Sequence, residues 1–147
     1  ASKHDFGHDL TSLALAVARE GCVDETLSAI VAGLEVEDIR KVIEEGSQGS
    51  IYSHLEPDTL DWIMTEMRTI ADEESSHAAL AWRTLKWVCG VDSKVCDTVH
   101  RDVFNKASLE SRFDHRALSA LSETAMVRNK LEEGWMKIRD THMLDQS

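Results

Sequence analysis

The chain has 147 residues, 42% of them hydrophobic and 29% charged, with 27 acids against 16 bases for a net charge of −11. This is the size of one domain able to bury a sizeable core, and the composition is that of a soluble globular protein. The acidic balance argues against nucleic acid as a partner, because phosphate contacts need clustered Lys and Arg. The longest apolar runs, such as "LALAVA", are far too short to span a bilayer.

One proline, seven glycines and 5% aromatic residues favour helices over short strands. Residues 1–9 read as a polar arm. A helix is expected over 10–34, rich in Ala and Leu, with Asp9 or Thr11 as its cap. Gly21 lies inside it at a cost of about 1 kcal/mol against Ala, which close helix packing would offset. "VEDIRKVIEEG" continues as a short helix or bent extension that Gly46 stops, and "GSQGSIYSHLE" is a loop. Pro57 suits a first helical turn, where its missing N–H costs nothing, and Asp58 and Asp61 complement the helix dipole. That helix is expected to reach Val88, with Gly90 as its stop. Further helices are expected over 93–106 and 114–138, and 141–147 as a tail. No segment alternates with period two, so residues 10–140 read as a single all-α domain.

Cys22, Cys89 and Cys96 are an odd set without metal-type spacing, and buried free thiols are the expectation. No signal or transit segment is visible to indicate a compartment. The chain starts at Ala1 rather than Met, and removal of an upstream segment is an expectation that follows.

In the helix from Pro57, the residues Leu60, Ile63, Met64, Met67, Ile70, Ala71, Glu74, His77, Ala78, Ala81, Leu85 and Val88 recur at steps of three and four. They trace one apolar face, interrupted by Glu74 and His77 side by side at i, i+3. A buried unpaired carboxylate is costly, and a metal ion compensates it efficiently. Seven histidines among this many acids give about one acid-x-x-His pair by chance, and pairs of this kind are weak motifs alone. The chain has three, Asp5/His8, Glu74/His77 and Asp97/His100, and only Glu74/His77 falls on a core stripe. In the first helix, Ala14, Ala18, Gly21, Cys22, Glu25, Ala29 and Ala32 form a small-residue stripe whose single charge is Glu25. A Glu facing Glu-x-x-His from a neighbouring helix is half of a four-helix di-metal constellation. Glu20 lies on the adjacent side and reads as a surface charge.

"AREGCVDETLSAIVAG" followed by "IADEESSHAALAWRTLKWV" resembles the second half of a group of ferritin-like domain proteins. The matching residues are Glu20, Gly21, Cys22, Val23, Glu25 and Thr26, then Ala71, Asp72, Glu74, His77, Ala78, Leu80, Ala81, Trp82, Arg83 and Trp87. The resemblance covers roughly residues 18–88. It implies a ferritin-like bundle on two long antiparallel helices, with Glu25, Glu74 and His77 as ligands of iron or manganese. The family's earlier half, with its own Glu and Glu-x-x-His, is absent, and Asp97/His100 with Glu123 is the nearest substitute in this chain.

The remaining residues read as structural. Trp62, Trp82, Trp87 and Trp135 are expected to pack in the core, and Arg83 to pair with a carboxylate on a neighbouring helix. His4 and His8 belong to the polar arm. Two functions follow. One is a metal-binding redox protein, oxidising iron or activating oxygen, whose half-site is completed by a second chain in a homodimer or by another helical subunit. The other is a helical scaffold or interaction subunit that has lost the metal site.

Overall fold

A computed structural model describes residues 3–46, 48–115 and 124–145. Among the described residues the chain is all-α, with no strand. Helix α1 (Lys3–Ala16) runs through a π-helical stretch (Val17–Glu25) directly into α2 (Thr26–Glu45). The helix thus begins upstream of residue 10 and extends past Leu34 without a break, since Ala16, Glu25 and Thr26 all keep helical backbone angles. Gly46 stops it, as its place in the sequence predicts. It adopts the left-handed conformation (φ 66°) and its N–H donates to the carbonyls of Lys41 and Val42.

Helix α3 (Pro57–Val91) starts at Pro57 as expected but passes through Gly90. The stop is Asp92, which turns to extended backbone (φ −148°, ψ 107°) and accepts a 3.0 Å hydrogen bond from the Lys94 N–H. One carboxylate therefore caps α4 (Ser93–Val99) while its backbone ends α3, and the glycine is not needed. A π-helical turn (His100–Phe104) follows α4 and ends at extended Asn105. Asn105 Oδ1 accepts from the Ser108 N–H at 2.8 Å and caps α5 (Lys106–His115), a separate helix that periodicity alone did not resolve. Helix α6 spans Thr124–Asp145. The expected start at 114 therefore falls partly on α5 and partly outside the described residues.

The core lies where α1, the π stretch and the C-terminal half of α3 meet α4, α5 and α6. Trp135 is its largest buried side chain; it stacks on Phe104 with centroids 4.7 Å apart and donates to His100 Nδ1 at 2.8 Å. Trp82 is half-buried and donates to Thr26 Oγ1 at 3.2 Å. Trp62 and Trp87, expected inside, are exposed. Where α2 packs on α3, Ala32, Ile39, Leu60 and Ala78 are buried, while Ile43 of α2, Trp62 and Ile70 of α3 and Ile51 of the connecting turn remain exposed.

The small-residue stripe of the first helix is consumed inside the chain. Ala14, Ala18 and Cys22 are fully buried, and a Cβ on Gly21 would stand 2.5 Å from Ala81 Cβ. That stripe is therefore not available as a dimer face. Asp24 accepts two hydrogen bonds from Arg112, tying the π stretch to α5.

Candidate metal centre

The π stretch ends at Glu25, one turn after Gly21. On α3, His77 lies one turn before Ala81, and Glu74 lies three residues before that. Gly21 against Ala81 brings the two backbones close, so Glu25 meets His77 one turn further along. His77 Nδ1 is 3.1 Å from Glu25 Oε2 and 3.9 Å from Glu74 Oε1. One donor atom from each of the three side chains lies within 4.8 Å of the others. Donors sharing one transition-metal ion stand at most about 4.2 Å apart, twice a bond of about 2.1 Å, so small rotations about the side-chain bonds would close the set. The three residues singled out in the sequence are brought together.

Their burial differs from expectation. The side chains of Glu25 and Glu74 are 32% and 28% exposed, and that of His77 is 59% exposed. Along that face of α3 Leu60, Ala78, Ala81, Leu85 and Val88 are buried, while Ile70 and His77 are exposed. Glu25 Oε2 is the exception. It is buried and makes no hydrogen bond among the described residues, although His77 Nδ1 stands 3.1 Å away. An orphaned carboxylate oxygen costs about 1–3 kcal/mol or more, and a cation held between Glu25, Glu74 and His77 would satisfy it. Two carboxylates and an imidazole suit iron, manganese or zinc rather than calcium or a soft metal. On donor chemistry and on the orphaned atom, the residues fit such an ion.

The other sequence candidates are placed elsewhere. Glu20 is exposed. His100 is engaged by Trp135 through the nitrogen lone pair that a metal would need, and Glu123 lies outside the described residues, as do the side chains of His4 and His8. Burial, then Arg139, hold the His100 imidazole below its ordinary pKa, with Asp97 opposing. Arg83 is exposed and makes no ion pair with a described residue.

Cys89 and Cys96 form a disulfide, correcting the expectation of free thiols. The corner at Asp92 folds α4 back on the end of α3 and leaves their Cα atoms 5.1 Å apart, within bonding range. Their separation of seven residues was the only trace of this in the sequence. Cys22 remains a buried free thiol, and burial raises its pKa far above the usual thiol range.

No family model, curated protein or solved structure matches this chain. The likeness to ferritin-like proteins therefore rests on the quoted motifs.

Proposed function

We propose that the chain is a metal-binding redox protein of ferritin-like architecture, built on two long antiparallel helices, with Glu25, Glu74 and His77 as a half-site for iron or manganese. The observation that carries this reading is the buried, unsatisfied Glu25 Oε2 at the centre of a carboxylate, carboxylate and imidazole cluster. When bound, iron would supply one-electron chemistry with oxygen. The chain's own residues do the rest. Glu25 and Glu74 supply negative charge, and His77 supplies an imidazole nitrogen. Three protein ligands leave positions open, and a second copy of the chain is the simplest source of further ones. It would approach over the exposed His77 edge of α3 rather than the Ala14–Ala18 stripe.

Metal analysis of protein purified without added metal tests this. Near-stoichiometric iron or manganese, lost in Glu74→Ala, supports the reading. The Glu25→Gln variant sharpens it. Without metal, the substitution removes a carboxylate oxygen that makes no hydrogen bond, and stability is expected to stay unchanged or rise. With iron or manganese supplied, only the wild type gains in melting temperature. Wild-type protein that neither gains stability nor associates when either metal is added excludes the half-site. The scaffold alternative would then stand, supported by the exposed Trp62 and Ile70 of α3 and Ile51 of the turn before it.

A further inference from the structure

Further along α3, two adjoining open grooves of ≈ 300 and ≈ 500 Å³ lie between α3 and α6 and share Arg83, Lys86 and Ile138. Acids outnumber bases 27 to 16 over the chain. Yet the lining holds four bases, Arg83, Lys86, Lys130 and Lys137, and no carboxylate among the described residues. Arg83 and Lys86 are i, i+3 on α3, and Lys130 and Lys137 are i, i+7 on α6, so each pair shares one helix face. None of the four makes an ion pair with a described residue, although Glu133 and Asp140 are within a turn of Lys137. The floor between the cations is apolar. Trp82 is pinned there by its hydrogen bond to Thr26, and Gly134 lies directly on its ring, where a Cβ would be 3.1 Å away. Trp87 stands at the rim, 60% exposed.

Four exposed cations facing one groove raise its local positive potential and favour a bound anion. A small polyanion satisfies them, and an exposed indole beside cations suits a flat ring stacked on it. The grooves are open but long enough to lay a small ligand along α3 and α6. A net charge of −11 repels extended polyanions such as nucleic acid or an anionic membrane, whereas a compact ligand feels mainly the local field. We propose that this groove binds a phosphate-bearing heterocycle of the nucleotide class, with the phosphates between Arg83, Lys86, Lys130 and Lys137 and the ring on Trp87. This site is separate from Glu25, Glu74 and His77 and does not depend on the metal reading.

The test is calorimetric titration at low salt with chelator present, so that no metal recruits phosphate. The probes are ATP, tripolyphosphate, adenosine, a polyglutamate peptide and a short single-stranded DNA. ATP is expected to bind saturably with one site per chain. Lys86→Gln with Lys137→Gln should weaken it at least about tenfold, since each charge-assisted hydrogen bond removed is a large fraction of such affinity. Trp87→Leu should weaken ATP several-fold and leave tripolyphosphate unchanged, and adenosine should bind far more weakly than ATP. All three substituted side chains are exposed, so the fold persists. Absence of saturable ATP binding by the wild type overturns the proposal. So does an ATP affinity unchanged in the charge variant, or tighter binding of the peptide or the DNA than of ATP.

Discussion

Gly21→Ala is the most direct probe of how the metal cluster is positioned. The added Cβ would stand 2.5 Å from Ala81 Cβ and 3.7 Å from Ala81 Cα. Carbon atoms rest about 3.5–4.0 Å apart, so the helices must separate by roughly 1 Å. Overpacking of this kind costs about 1–3 kcal/mol. Against it, Ala is better than Gly in a helix by about 1 kcal/mol. The net loss for the single variant is therefore roughly 0–2 kcal/mol, or up to several degrees in melting temperature at this chain length. A double-mutant cycle removes the ambiguity. Ala81→Gly alone loses about 1 kcal/mol of helix propensity, and Gly21→Ala with Ala81→Gly restores both the space and the propensity sum. Urea denaturation of the four proteins should give a favourable coupling of at least about 1 kcal/mol. Because Glu25 and His77 lie one turn from the clash, Gly21→Ala should also weaken metal binding, and Ala81→Gly should rescue it. Additivity within about 0.5 kcal/mol, or a Gly21→Ala variant stabilised by the full propensity gain, would refute the close packing and the placement of the cluster.

Three further outcomes follow from the structure. Cys89→Ser should lower stability by about 2–3 kcal/mol through loss of a short closed loop, read as a shift in denaturation midpoint that reductant reproduces in the wild type. Native protein should show no fast-reacting thiol, unfolded protein one (Cys22), and reduced unfolded protein three. Tyr52 donates to the Glu35 carboxylate, and this bond, with burial and the Glu35 charge, pushes its pKa up to about 12. It is the single tyrosine, so absorbance titration reads it alone. The folded state holds this proton more tightly, so its stabilising contribution is complete below about pH 10 and is lost as pH rises towards 12. Glu35→Gln should bring the midpoint down, and an unchanged midpoint would disprove the contact. His100 has the opposite sign. Its pKa is depressed and its Nδ1 lone pair accepts from Trp135, so its contribution is present above about pH 6.5 and declines as pH falls. His100→Gln should flatten that part of the stability profile, and a slope identical to wild type would rule the histidine out as its source.

Features set by local backbone chemistry were legible in the sequence. The all-α class followed from periodicity. The start at Pro57 and the stop at Gly46 followed from a missing N–H and a left-handed turn, which depend only on the residue itself. The convergence of Glu25 with Glu74 and His77 was also readable, since i, i+3 geometry and a small-residue stripe constrain which side chains can meet. What required tertiary structure was coverage. A stripe says which residues share a face, not whether another helix lies over it, so His77, Trp62 and Trp87 came out exposed. The Cys89–Cys96 bond depended on a corner made by Asp92, whose carboxylate cap overrode the nearby glycine. The groove of four cations was invisible for the same reason. Arg83 and Lys86 lie some fifty residues from Lys130 and Lys137, and only the packing of α6 on α3 places like charges together in a chain rich in acids. Local preference acts over one or two turns of helix, whereas burial, disulfide pairing and charge clustering are decided by which distant segments the core draws together.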